Sequence, residues 1–159
     1  MEAVSNTTVL IALAKLNRLD LLENLFSVVR IPPAVGEELF ANEEHHRVEC
    51  ALLREVMQKW LKVQKPHKVL ECGLGKGEAE AIMLCQELSL SLFLSDDSPA
   101  RTFAESLGQT PLGTIGVLVR NVHLGKITKT EYHVLLDQLI IVGMYLSTDV
   151  YQAARDAIG

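Results

Sequence analysis

Apolar residues recur along this chain in two rhythms, short β-branched runs and longer stretches at helical spacing. "EAVSN" (2–6) reads as a short strand ending in polar residues. "TTVLIALAKL" (7–16) follows with helical character, and "LDLLENLF" (19–26) adds a helical turn or two. "SVVRI" (27–31) is β-branched and bounded by Pro32 and Pro33, which predicts a second strand and then a helix over "PPAVGEELF" (32–40). In "HRVECALLREVMQKWL" (46–61), Val48, Leu52, Val56 and Trp60 recur at four-residue steps and predict an amphipathic helix. "LKVQKPHKVLECGLGKG" (61–77) is the least regular part, an edge strand and a loop, before "GEAEAIMLCQELS" (77–89) returns to helix.

"SLFLS" (91–95) predicts a strand, "SPARTFAESLG" (98–108) a helix closed by Gly108, and "QTPLG" (109–113) a short strand or turn. Beyond Thr114 the pattern is helical, in "TIGVLVRNVHLG", "TKTEYHVLLDQLI" and "STDVYQAARDAI", the last opened by Ser147 or Thr148. Strands alternating with helices predict an α/β fold: a three-layer α/β/α sandwich around a central parallel sheet. In such sheets ligands collect at the carboxyl ends of the strands. Asn6 falls at the first of these ends, and Asp96 and Asp97 at the end of "SLFL".

Composition narrows the field. The 159 residues are 48% hydrophobic and 22% charged, which suits one globular domain spanning 1–159. The net charge of −5 offers no overall basic field for nucleic acid, although a metal or a local basic rim supplies one where it is needed. Cys50, Cys72 and Cys85 lack metal-ligand spacing and read as reduced, mostly buried thiols, as expected in the cytoplasm. No leader pattern opens the sequence. The longest apolar run, "VLLDQLIIVGMYL", is interrupted by Asp137 and Gln138, so no membrane partner is expected.

Two adjacent aspartates in "SLFLSDDSPAR" (91–101) repel one another and cost solvation beside a core. Capping accounts for one of them, because Asp97 or Ser98 precedes the helix that Pro99 begins. It does not account for both. Glu37 and Glu38 on the third predicted helix have the solvated helix face as their ordinary role. Glu78 and Glu80 have the favourable dipole at a helix start. Taken together, three or four carboxylates at strand ends would bind a hard divalent cation, Mg²⁺ or Mn²⁺, which relieves their repulsion.

"GLGKGE" (73–78) competes as a phosphate loop and would make the chain a nucleotide-binding regulatory domain. Its glycines miss the dinucleotide spacing, no Lys-Ser or Lys-Thr follows, and the glutamates repel phosphate. The histidines show no metal-binding spacing, and Cys85 sits on an apolar helix face.

"VSNTTVLIALAKL", "IPPAVGEEL", "GEAEAIMLC" and "LFLSDDSPARTFAESLG" follow one another in the order of PIN-domain signatures. Through "TPLGTIGVLVRNVHLGKIT" the chain resembles a VapC-like subfamily, related to the ribonuclease toxins of toxin–antitoxin pairs. The resemblance covers nearly the whole chain. It implies a Rossmann-like sandwich with an acidic pocket, where one or two Mg²⁺ or Mn²⁺ ions activate water against an RNA phosphodiester. By position, Glu38, Glu78 and Asp97 match the family's acids, with Glu80 and Asp96 beside them. Thr7 and Ser95 are then placed to hold the metal shell or a phosphate, and Arg101 to pair with an acid or touch RNA. Asn6 stands where the family's first aspartate usually lies, and its amide oxygen ligates without charge. A small antitoxin protein and a homodimer are further expected partners. The alternative is a degenerate module that binds RNA, metal or protein without cutting.

Overall fold

A computed structural model describes residues 1–69 and 71–159. Five short parallel strands form one sheet: β1 (Glu2–Ser5), β2 (Val28–Ile31), β3 (Leu61–Val63), β4 (Leu92–Leu94) and β5 (Thr110–Leu112). Their spatial order is β3-β2-β1-β4-β5. Val4 lies in register with Arg30 on one side and Phe93 on the other. Burial explains why these runs form strands, since Ala3, Val4, Val29, Ile31, Phe93 and Leu94 are all fully inaccessible. A parallel sheet covered on both faces needs such continuous apolar stretches.

The connections are helical: α1 (Thr7–Lys15), α2 (Asp20–Glu23), α3 (Pro33–Phe40), α4 (Arg47–Met57), α5 (Lys76–Glu87), α6 (Ser98–Ser106) and α7 (Thr114–His123). Helices α8 (Lys129–Ile141) and α9 (Thr148–Asp156) follow the last strand. Helix α1 packs against α3, α4 and α7, whereas α5 packs against α3, α6, β1 and β4. The result is the expected α/β sandwich. Connections that build outward from β1 to β3 must return through α5 to reach β4, so the strand order reverses between β1 and β4. That switch point positions the site.

Most predicted elements appear where the pattern placed them, with instructive differences. The stripe Val48–Leu52–Val56–Trp60 is not the buried face of α4. Val48 is 71% exposed, Trp60 lies beyond the helix end, and the inward residues are Cys50 and Leu53. Four-residue steps overrun a 3.6-residue turn and drift around the helix. In the irregular segment 61–77 an edge strand does form, as β3, while Leu70 of the predicted loop lies outside the described residues.

Gly108 closes α6 at φ +80° with Gly108 N bonded to Glu105 O and Gln109 N to Ala104 O, the paired bonds of a left-handed helix terminus. Ser147, rather than Thr148, caps α9. Among the described residues no helix is long and apolar enough to cross a membrane.

Two of the three thiols are buried, Cys50 and Cys85, whereas Cys72 is only half-buried. Burial pushes the Cys85 thiol up to about 12. Alkylation of the folded protein at about pH 8 should therefore label Cys72 first, with Cys85 reacting only after denaturation. Intact-mass spectrometry with peptide mapping checks this order.

Candidate active site

The chain leaves β1 at Asn6 and β4 at Ser95, on adjacent strands either side of the switch point. Neutral side chains stitch these two ends together. Asn6 caps α1, its Oδ1 accepting from Thr8 N at 3.1 Å and from Thr8 Oγ1 at 2.8 Å. Asn6 Nδ2 donates to Ser95 Oγ at 2.7 Å, and Asp97 N donates to the same oxygen at 3.1 Å. Thr8 Oγ1 in turn accepts from Asp96 N at 2.9 Å. Asn6 and Ser95 are both buried, so each bond replaces one that water would otherwise make. Asn6 is thus first a cross-link between β1 and β4.

The paired aspartates divide the work. Asp96 gives both carboxylate oxygens to Thr114, accepting from its backbone N at 2.7 Å and its Oγ1 at 2.6 Å. Helix α7 begins after Gly113, which has no side chain to offer, so Asp96 supplies the missing cap from the neighbouring strand. Asp97 caps its own helix, α6, through Oδ2 and Ala100 N at 2.9 Å. The other oxygen of Asp97 has no hydrogen-bond partner among the described residues. Arg101 turns back to donate from Nη1 to the Ser95 carbonyl at 3.0 Å. It braces the strand end and, among the described residues, pairs with no acid.

On the other side of Asn6, Thr7 Oγ1 donates a short hydrogen bond to Glu38 Oε2. Of the two adjacent glutamates on α3, Glu38 is therefore the one brought to the strand ends. Its carboxylate lies against Gly77 in the first turn of α5, where a Cβ would meet Glu38 Cδ at 2.9 Å and Oε2 at 3.0 Å. Helix α5 returns the favour, since Glu80 Oε2 accepts from Ala34 N in the first turn of α3 at 3.2 Å. Each helix thus lays a carboxylate on the amino end of the other, where free amides and the dipole favour it. Glu78 folds back over Gly75 at the same helix start.

The structure accordingly links Asn6, Ser95, Asp96 and Asp97 through hydrogen bonds that include Thr8, and sets the bonded pair Thr7 and Glu38 next along the chain, with Glu78 on the helix that Glu38 touches. Among the described residues, no three of His, Cys, Asp or Glu stand close enough to share a metal ion. Thr8, Gly77 and Thr114 belong to the site and escaped the sequence. Only Gly77 carried a signal, as a glycine inside a helix start where it costs helix stability. Thr114 carried none, because its partner lies 18 residues away.

A small α/β domain whose parallel sheet reverses order beneath an acid-rimmed ledge belongs among enzymes and binding domains that work at strand carboxyl ends. The chain is a member of the PIN domain family, whose model (DUF3368, PIN domain) matches residues 2–159. Such domains are generally nucleases and usually use divalent metal ions.

Solved structures that share the fold include two archaeal proteins. One is a PilT N-terminus domain protein, SSO1118, from the hyperthermophilic archaeon Sulfolobus solfataricus P2. It is 16% identical with TM-score 0.56, over 77% of this chain and 94% of its own. The other is a domain of a functionally unknown protein from Methanocaldococcus jannaschii DSM 2661. It is 15% identical with TM-score 0.52, over 70% of this chain and 89% of its own. No curated protein matches the chain.

The donor set fits a hard divalent cation. Every candidate ligand is oxygen, and Glu38 Oε1 and Asp97 Oδ1 have no hydrogen-bond partner among the described residues. Mg²⁺ is commonly held by one or two carboxylates with water completing its shell, so it does not require three converging acids.

Proposed function

We propose that this protein is a Mg²⁺- or Mn²⁺-dependent ribonuclease. The observation that carries the reading is the placement of Glu38 and Asp97 on either side of the β1/β4 switch. Each is fixed through one oxygen and keeps the other open. A divalent ion bound there supplies an activated water and neutralises charge on the phosphate. Glu38 and Asp97 would hold it, with water completing its shell, and Glu78 would add negative charge from the start of α5. Asp96 adds negative charge while holding α7, and Thr7 and Ser95 orient the ledge. Arg101, which braces the Ser95 carbonyl, is the cation we assign to a backbone phosphate. The VapC-like resemblance supports a cytoplasmic role as the toxin of a pair. Exposed apolar residues of α8, Val134 and Ile141, support docking by a small antitoxin or a second copy.

The second reading, a degenerate module that binds without cutting, is favoured by Asn6. Its amide is committed at both ends and brings no charge. Purified protein should cleave single-stranded RNA with Mg²⁺ or Mn²⁺ and stop on chelation. Binding without cleavage across a panel of RNAs would establish the second reading instead.

Asn6→Asp sharpens the choice. The cap to Thr8 survives, because aspartate accepts the same bonds, and Ser95 can reverse its hydroxyl to donate. The new charge is buried, so the metal-free protein should lose stability. Added Mn²⁺ should recover it, and cleavage should rise by roughly ten-fold. Thermal melts with and without metal, run beside the cleavage assay, read both effects.

A further inference from the structure

A groove of about 330 Å³ opens from the acid ledge along one side of α1. Ile11 and Ala12 wall it on the α1 side, and Val142 and Met144, from the segment after α8, wall it on the other. Thr7 and Asp96 of the site lie at its lining, so it is continuous with the chemistry described above. Lys15 lines it too. Eight residues beyond Thr7 on α1, Lys15 is about 12 Å along the helix axis. Lys15 is exposed and, among the described residues, has no acidic partner within ion-pair distance. Tyr145, the residue after Met144, is 88% exposed.

We infer that this groove is a single-nucleotide subsite for the RNA strand next to the bond that is cut. The base seats against Ile11, Ala12, Val142 and Met144, the adjoining phosphate meets Lys15, and a neighbouring base stacks on Tyr145. Charge decides the occupant's direction. A phosphate is repelled at the Asp96 end and attracted at the Lys15 end of a protein with net charge −5. Exposed aromatic faces and cations along one path are also the usual equipment for gripping single-stranded nucleic acid. The identity of the polymer rests on the ribonuclease reading, whereas the groove and its cation do not.

Binding of a fluorescein-labelled single-stranded RNA, measured by anisotropy in chelator so that nothing is cut, tests the subsite. Lys15→Gln should lower the slope of log affinity against log salt by about 0.7, the share of one phosphate contact. Tyr145→Ala should weaken binding about ten-fold. Ala12→Leu, which fills the groove, should weaken it as well. Lys15 and Tyr145 are exposed, so those two variants are read without a folding penalty.

If the wild type binds with this pattern but never cleaves, the subsite stands and the nuclease reading falls. If it cleaves while all three variants bind like wild type, the subsite falls and the nuclease stands. A groove-filling variant that changes only the sedimentation of the protein would assign the groove to a second copy, and overturns the proposal. So does a wild type that binds no RNA.

Discussion

Asp97→Asn should lower metal-dependent RNA cleavage on the order of a hundred-fold while leaving the fold in place. The substitution separates two roles that one carboxylate carries. Asp97 Oδ2 caps α6 by accepting from Ala100 N, and asparagine caps a helix about as well as aspartate. What asparagine does not supply is negative charge at the unpartnered oxygen. Asp97→Ala should lose the cap as well and cost about 1 kcal/mol of stability. A melting curve therefore separates Asp97→Ala from Asp97→Asn, and a cleavage assay should not. Full activity in Asp97→Asn would remove this acid from the chemistry and leave it a cap.

Asp96 makes the contrast sharper, because both its oxygens already serve Thr114. The two adjacent acids that look alike in sequence divide on the strand-end ledge into one that holds a helix and one that keeps an open oxygen. Their juxtaposition was legible as an electrostatic oddity. Its division of labour was not, because that depends on where α7 begins relative to β4.

The same boundary runs through the rest of the fold. Strands β1, β2 and β4 could be read because parallel strands buried on both faces must be apolar throughout, and each ends abruptly in polar residues or proline. Asn6 and the Asp96–Asp97 pair inherited their location from that pattern. The inward face of α4 was misread because a ladder of four-residue steps was followed through Val48 to Trp60. A mixture of three- and four-residue steps through Cys50, Leu53 and Met57 tracks one face of a helix better. The exchange of carboxylates between α3 and α5 was beyond reach. Nothing in "EEL" or "GEAEA" says that Glu38 and Glu80 reach across to each other's helix. That is fixed by how two helices come to rest whose bonded residues, Ala34 and Glu80, lie 46 apart in sequence.

Gly77→Ala tests that exchange, with an outcome that runs against intuition: stability should hold or rise while activity falls. In the first turn of α5 an alanine is favoured over glycine by up to about 1 kcal/mol, because less backbone entropy is lost on folding. Its Cβ, however, occupies the space in which the Glu38 carboxylate rests, 2.9 Å from Cδ and 3.0 Å from Oε2. The flexible end of Glu38 has to give way and carries off its bond to Thr7. A displacement of about 1 Å at a working group costs on the order of a hundred-fold in rate. Metal affinity measured by Mn²⁺ titration should fall with it.

The complementary change is Glu38→Asp in the Gly77→Ala background, where a side chain shorter by one methylene can retreat from the new Cβ. Partial recovery of Mn²⁺ affinity in the double variant, with Glu38→Asp alone weaker than wild type, would show that Gly77 acts through Glu38. Wild-type affinity and cleavage in Gly77→Ala would instead mean that Glu38 works from another position, and that α5 needs its glycine for packing alone.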